Sequence, residues 1–340
     1  MIDFDLGTYQ ATISIIRHKK EANVFGSLIN PLIHAIKFRK VLKDAEDGDA
    51  VLQNKLGIMY HNGTHVKQDL SQALYWYTKA AEQGYAPAQT NLAEMYEYGY
   101  GITPDNVEAA HWYHKAAQHG DPIAQNAYGW LVENGRGVDQ DISEALRWYR
   151  RSAEQGNADG QYNLGMMYQM GKGTEKDYKE ALQWYQRSAE QGYAPAETAL
   201  GNMYVGAQGV IQNDIQAIDW FHKAALQGYS EAQVRLGEMY EDRKEPIKAI
   251  KWFIKAAQLK HPIGETNLGL MFAFGDGVTK NSTIAYALLE MAVLQGHTNA
   301  LEIRETIGKE LSLTQKEEVK YLLKEPDKLW NLIEKNLEQR

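Results

Sequence analysis

Cysteine is absent from all 340 residues. That excludes disulfides, thiolate nucleophiles and cysteine-held metals. Long apolar runs are absent as well. No stretch approaches the ~18 residues of a membrane-crossing helix, although 44% of the residues are hydrophobic. No basic run is long enough to follow a phosphate backbone, and the net charge is −8, so general nucleic-acid binding is not expected. The start, MIDFDLGTYQ, is acidic and shows no basic residues ahead of an apolar core. No signal peptide is visible, and a cytoplasmic location without membrane insertion is the expectation.

The signatures of catalysis are missing too. No serine has a lysine three residues later, no GxSxG occurs, and nothing reads as an activated nucleophile. There is no HExxH and no GxxxxGK[ST]. His111 and His114 lie one helical turn apart but lack further ligands, and they read as exposed surface histidines. His61 and His65 read as loop residues. No catalytic residue, metal site or cofactor is assigned, and the expectation is of a chain that is not an enzyme.

What the chain does have is repetition. Gly160 to Gly192 reads GQYNLGMMYQMGKGTEKDYKEALQWYQRSAEQG. Gly160, Leu164, Gly165 and Tyr168 fall on one face of a first helix. Gly171 and Gly173 turn the chain. Asp177 with Glu180 reads as a capping box. Ala181, Trp184, Tyr185, Ser188 and Ala189 mark one face of a second helix, and Gly192 ends it. The Gly-x-Gly stretches (Gly99-Tyr100-Gly101, Gly135-Arg136-Gly137, Gly171-Lys172-Gly173) read as helix turns, because no strand precedes them.

Copies recur on both sides. The small mid-helix residue returns at Gly57, Ala93, Gly129, Gly165, Gly201 and Gly237, every 36 residues. The second-helix aromatic returns at Trp76, Trp112, Trp148, Trp184 and Trp220, and terminal glycines at Gly84, Gly120, Gly156, Gly192 and Gly228. Capping boxes begin at Asp69, Asp105, Asp141 and Asp177. Because Ala93 substitutes for glycine, the site demands a small side chain rather than a special backbone angle. One unit cannot bury its apolar face alone, so the units must stack.

The sixth unit loses four residues from its turn. Pro246 falls at the first position of its second helix, and Lys260 replaces the terminal glycine. The seventh restores the turn (Gly275-Asp276-Gly277) and has Leu288 where tryptophan stood. Ahead of the repeats, Leu6, Tyr9, Ile13 and Ile16 suit a short helix, while Ile13, Ile15 and Ile16 equally suit a strand. A helix opened by Pro31, with Ile33, Ile36, Phe38, Val41 and Ala45 apolar, would cap the first repeat. After Gly296, Thr314 with Glu317 reads as a capping box for a helix ending before Pro326. Asp327 would cap a last helix bearing Leu329, Trp330, Ile333 and Leu337. The organisation expected is residues 1–48 as extension and capping helix, 49–297 as seven repeats, and 298–340 as C-terminal capping helices.

The pattern A-x-x-x-L-G-x-x-Y-x-x-G-x-G, then D-x-x-x-A-x-x-W-Y-x-x-A-A-x-x-G, resembles the Sel-one-like repeat (SLR) family, relatives of the tetratricopeptide repeats. Residues 124–156 show it well. The resemblance implies an all-α fold, an α/α solenoid wound as a right-handed superhelix, with first helices lining a concave face. It also implies a bacterial protein–protein interaction module: an adaptor or scaffold, or a specific inhibitor such as an immunity protein against a toxic effector. Some bacterial relatives carry a cysteine pair in each repeat, which this chain lacks. A peptidoglycan- or β-lactam-acting enzyme and a peptide- or glycan-binding lectin stand as alternatives.

On such a concave face, the first-helix positions that the repeat does not use become the candidate partner-binding residues. They are Thr90, Glu94, Glu97 and Tyr98, then Asn126, Trp130, Glu133 and Asn134, then Tyr162, Met166, Gln169 and Met170, followed by Thr198, Asn202, Val205, Glu238 and Glu241. Trp130, Tyr98, Tyr162 and the methionines would supply apolar anchors of the kind found at binding hot spots. The glutamates would supply an acidic rim, favouring a protein partner with a basic or mixed surface. The Trp and Tyr pairs of the second helices read as core.

Overall fold

The computed structural model describes residues 38–338. The readings placed on residues 1–37, including the helix opening at Pro31, lie outside the described residues. The chain divides into two compact units, Met1–Gln155 and Gly156–Arg340. Every regular element among the described residues is helical, and the architecture is an α/α solenoid of seven helix pairs.

The first unit opens with a helix through residues 38–46 (α1) and continues with three antiparallel pairs. The first helices of these pairs are α2 (Ala50–Asn62), α4 (Ala86–Tyr98) and α6 (Pro122–Asn134). Their partners are α3 (Leu70–Glu82), α5 (Asn106–Gln118) and α7 (Ile142–Glu154). Phe38, Val41 and buried Ala45 of α1 pack against Leu56, Met59 and Trp76, covering the outer face of the first pair. The second unit holds four pairs. The first helices are α8 (Ala158–Met170), α10 (Ala194–Val205), α12 (Ser230–Asp242) and α14 (Pro262–Phe274). The second are α9 (Tyr178–Glu190), α11 (Asp214–Leu226), α13 (Pro246–Gln258) and α15 (Ser282–Leu294). A 3₁₀ turn at Thr298–Ala300 leads into α16 (Leu301–Glu310), α17 (Leu313–Lys324) and α18 (Pro326–Glu338).

Local chemistry sets the helix ends. Asp69, Asp105, Asp141 and Asp177 are extended, and each carboxylate accepts from backbone N–H groups of the following first turn, satisfying donors that a helix start leaves open. Near the C-terminus the reciprocal box forms at Ser312 with Gln315, not at Thr314 with Glu317 as the sequence suggested. Buried Leu311 holds an extended backbone at the end of α16, so Ser312 becomes the cap and Thr314 falls inside the first turn. α17 ends at Lys324, ahead of Pro326, and Pro246 opens α13, as the sequence indicated.

First helices end in left-handed glycines: Gly63, Gly99, Gly135, Gly171 and Gly275 have φ of 64–76°. Ala207 stands at the equivalent place in the fifth pair with φ 52°. Two residues further on, a second left-handed glycine lets the turn settle on the preceding pair. A Cβ on Gly137 would lie 1.9 Å from the Asn106 carbonyl oxygen, and one on Gly277 would lie 2.7 Å from Pro246.

Inside each pair, the mid-helix small residue faces a large side chain of the second helix, a ring except at Leu289 of the seventh pair. A Cβ added at Gly57 would meet Tyr77 at 2.4 Å, at Gly165 Tyr185 at 2.8 Å, and at Gly237 Phe253 at 2.4 Å. None of these glycines has a positive φ. The demand is for space, as Ala93 had indicated. The terminal helices use the same principle of covering. Ile307, Val319, Leu322, Leu329 and Ile333 join a core cluster with Leu288. The leucine of the seventh pair is thus fully buried, where most of the others carry a half-exposed tryptophan.

Buried amides link one pair to the next. Gln53, Gln89, Gln125 and Gln233 donate Nε2 to the carbonyls of Ala45, Ala81, Ala117 and Ala225, at 2.9, 3.0, 3.1 and 3.2 Å. Their Oε1 atoms are met by a donor from the end of the second helix, as with Gln83 on Gln53 and Gln155 on Gln125, both 2.7 Å. In the sixth pair Leu259 stands in the donor's place, and Gln233 Oε1 is buried without a partner. Glutamate replaces the glutamine at Glu197 in the fifth pair, where Gln227 donates to it at 2.8 Å, and at Glu265 in the seventh. Gln295 donates to the latter's Oε2 at 2.7 Å, but Oε1 has no partner and the residue is fully buried. Burial pushes the carboxyl up to about 7, against the pull of Gln295 and Lys260. Only the protonated acid supplies a donor of the kind the amides supply.

Two outcomes follow from this framework. Replacing Ala207 by glycine should raise stability by about 1 kcal/mol, since an L-residue in the left-handed region is penalised by roughly 1–2 kcal/mol and glycine returns part of that as chain entropy. A higher urea midpoint at unchanged m-value is the check. Glu265 makes stability fall with pH. Its folded pKa of about 7 lies above the ordinary 4.5, so its contribution is complete below pH 4.5 and is lost as pH rises through 7, a change of about 3 kcal/mol. Glu265→Gln should remove this pH dependence, measured as the urea midpoint at pH 5 and pH 8. An unchanged pH profile would sink the assignment.

Candidate interaction surface

The positions singled out on the first helices divide sharply by burial. Thr90 and Thr198 are buried, and their hydroxyls donate to the carbonyls of Ala86 (3.2 Å) and Ala194 (2.8 Å) within their own helices. Glu133 is buried and accepts the Tyr149 hydroxyl at 2.8 Å. Glu97 accepts the Tyr113 hydroxyl at 2.9 Å, and Gln169 accepts that of Tyr185 at 2.7 Å. Core packing does demand these side chains, contrary to the sequence reading. A tyrosine placed against a glycine drives its hydroxyl toward the first helix, where a buried donor requires an acceptor. Burial, then the neighbouring glutamates, pushes the Tyr113 phenol far up, and burial, then Glu133, does the same to Tyr149. Where that side chain has no hydroxyl, as at Phe221, Phe253 and Leu289, the facing residues are Val205, Glu241 and Ala273.

Tyr162 and Met166 are half-buried against the core of the fourth and fifth pairs. Tyr162 lies 5.6 Å from the rings of both Tyr185 and Tyr193, so it also serves packing. Asn126 and Glu238 are half-buried, while Asn134, Met170, Asn202, Val205 and Glu241 are exposed. Asn134 is turned back on its own helix, donating to the Trp130 carbonyl at 2.8 Å. His114 is not the exposed histidine expected. It stacks on Tyr128 with centroids 4.7 Å apart and meets Trp148 edge-on at 5.9 Å, and burial lowers its pKa. His61 lies in the last turn of α2, not in a loop. Among the described residues no group of three His, Asp or Glu could hold a metal ion.

The second-helix tyrosines are core, but the tryptophans are shared with solvent. Trp76 and Trp148 are buried, whereas Trp112, Trp184, Trp220 and Trp252 are half-exposed. A cation three residues on covers most of these rings: Lys115 over Trp112 at 4.4 Å, Arg151 over Trp148 at 4.6 Å, Arg187 over Trp184 at 4.5 Å and Lys223 over Trp220 at 3.8 Å. The stacking shields one ring face from water.

One coherent surface remains in the first unit. Tyr98 is 59% exposed and Trp130 37% exposed. Tyr100 lies 5.6 Å from Tyr98 and 5.2 Å from His61. Arg136 sits 4.9 Å over the Trp130 ring, with Nη2 donating to Asn106 Oδ1 at 3.3 Å. Burial, then Glu97, Glu94 and Tyr100, raises the Tyr98 phenol, and Arg136 opposes the rise. Glu94 is half-buried, and burial with Glu97 and Asp121 raises its pKa. Tyr100 and Arg136 were missed because they sit in turns read only as turns. A signal was present: the middle residue of the glycine turn is Thr64, Tyr100, Arg136, Lys172, Gln208 and Asp276 in successive copies. A fixed backbone with a freely varying side chain marks a position that packing does not choose.

The phenol–carboxylate contacts can be tested by coupling. Tyr113→Phe alone should destabilise by about 1–3 kcal/mol by stranding the Glu97 acceptor. Tyr113→Phe with Glu97→Val, the pairing of the fifth repeat, should recover most of it in a denaturant double-mutant cycle. Simple additivity of the two changes would argue against the contact.

Comparison with known proteins places the chain. The family described as Sel1 repeat matches residues 50–85, 86–121, 122–157, 158–193, 194–229, 230–261 and 262–297, and the 230–261 match is the copy with the shortened turn. A Sel1 repeat protein from Oxalobacter formigenes is 36% identical over 62% of this chain and 85% of its own, with a TM-score of 0.59. The protective antigen c5321 of uropathogenic Escherichia coli strains, described as displaying an SLR fold, is 29% identical over 87% of this chain and 81% of its own, TM-score 0.45. Immunity protein Pa5087 from Pseudomonas aeruginosa is 21% identical over 61% of this chain and 82% of its own, TM-score 0.44. No curated protein matches the sequence. Seven consecutive matches covering most of the chain show that it belongs to the Sel1 repeat family.

Proposed function

We propose that this protein is a non-enzymatic interaction module that captures a partner protein on the first-helix side of its second and third repeats. The observation that carries the proposal is the exposed group Tyr98, Tyr100 and Trp130, with Arg136 and Glu94 beside it. Large aromatic side chains with an arginine, left out of the core on a rigid helical support, have the composition of binding hot spots. The surface carries both charge signs, so a partner with basic or mixed character is the best fit. Met170 and Asn202, exposed on first helices of the second unit, are further candidate contacts. Elsewhere the groups that resemble chemistry are absorbed by packing: carboxylates cap helices or accept phenols, and His114 stacks on rings.

Two roles fit such a module, an adaptor that assembles proteins and an immunity-type inhibitor that silences one. The second would show as loss of the captured partner's own activity. The first would show as one complex holding two partners.

Affinity capture from the native host, repeated with Tyr98→Ala plus Trp130→Ala, is the test. The double variant should hold the captured protein at least ~30-fold more weakly, the effect of losing one hot spot worth about 2 kcal/mol. Its helical circular dichroism should be retained, because neither side chain fills the core. Undiminished capture by a folded double variant would move the interface off this surface.

A further inference from the structure

The second helix of the sixth repeat differs from all its counterparts in charge. α13 contains no acidic residue, whereas α3, α5, α7, α9, α11 and α15 each contain at least one. From Arg243 to Lys260 the chain carries Arg243, Lys244, Lys248, Lys251, Lys255 and Lys260 against Glu245 alone, in a protein of net charge −8. All six cations are exposed. Glu245 is engaged by Arg243 and Lys248, and Lys255 lies 4.4 Å over the Trp252 ring. The exposed strip is bounded by Ile247, 57% exposed, and Leu259, 53% exposed. These are twelve positions apart, about 18 Å along a helix.

A second observation is independent of charge. Lys244 and Lys260, at the two ends of α13, have φ of 61° and 58°. Glycine takes the end-of-repeat position in the other six copies, at Gly84, Gly120, Gly156, Gly192, Gly228 and Gly296. A lysine there carries a backbone penalty that glycine does not, and strain kept in place points to a use for the side chain. Both strained residues are lysines, and both extend the same basic strip.

We propose that the outer face of α13 is a second docking surface, and that its occupant is an acidic amphipathic segment of another protein, about twelve residues long and apolar at both ends. The lysine row fits the acidic centre, and Ile247 and Leu259 fit the ends. A membrane is a poorer fit, because the apolar face of α13 (Ala249, Ile250, Phe253, Ala256, Ala257) is already buried in the core, leaving too little to insert. Duplex nucleic acid is a poorer fit, because the cations form a single row on an otherwise acidic chain. This surface does not depend on the aromatic group of the first unit.

The test is calorimetric titration of the full chain with a synthetic peptide of about twelve residues, leucine at each end and glutamate between. A lysine-centred peptide, phosphatidylglycerol vesicles and duplex DNA serve as comparators. The acidic peptide should bind at low salt and weaken about tenfold as screening shortens toward 0.15 M. Lys251→Glu with Lys255→Glu should weaken it a further ~10-fold; Lys251→Glu alone, which leaves the Lys255–Trp252 stack in place, should weaken it by less with the melting curve unchanged, since an isolated exposed charge contributes little to folding. Lys260→Gly should raise the melting temperature yet weaken the peptide about two- to threefold, as expected when a strained residue is kept for its side chain. The proposal is overturned by no binding at low salt, by binding indifferent to these substitutions, or by preference for the lysine peptide, the vesicles or the DNA.

Discussion

The contact on which the other features depend is that of a small residue against a ring. In each pair a first-helix glycine, or Ala93, lets a second-helix side chain come so close that an added methyl group would collide with it. That approach sets the separation of the two helices and buries the ring. Where the ring is a tyrosine, its hydroxyl is carried toward the first helix and needs an acceptor. Glu97, Glu133 and Gln169 supply it. Where the ring is phenylalanine, the requirement disappears and Val205 or Glu241 stands in the same place. A packing constraint at one position thus decides the chemistry at another four residues away.

Between pairs, within each unit, the connection is polar. Buried glutamines join a carbonyl of one pair to an amide of the next, and left-handed glycines let each turn rest on the backbone before it. Buried amides of this kind contribute modestly when satisfied and are costly when orphaned. The departures run through the fifth, sixth and seventh pairs, beginning with strained Ala207 and buried Glu197 in the fifth. Leu259 leaves Gln233 half-served, Glu265 buries a titratable group, and Lys244 and Lys260 hold backbone angles suited to glycine.

The two surfaces left over have different characters. The first unit offers rings of Tyr98, Tyr100 and Trp130 with mixed charge on the first-helix side. The second unit offers a lysine row on a second helix. Both are built on helices and the turns at their ends.

The helix pairs were legible from the sequence because their causes are local. Asp69 or Asp177 caps a helix through contacts to the next three residues, and the 36-residue period of Gly57 to Gly237 repeats one local solution. Equally, Ala93 told from sequence alone that space, not backbone angle, was required. The surface was legible only in part. That Tyr98 and Trp130 stand exposed was legible, because an aromatic at a position the repeat leaves free is visible in one dimension. Glu97, Glu133, Thr90 and the stacked His114 were misplaced, because each is claimed by a partner four to thirty-four residues away that only the folded chain brings within reach. For Tyr100 and Arg136 the sequence held only the variability of the turn, and the folded chain shows the rings they meet, His61 and Tyr98 for Tyr100 and Trp130 for Arg136. Spacing along the chain determines which face a side chain leaves by, and the packed neighbours decide whether anything is left there to bind.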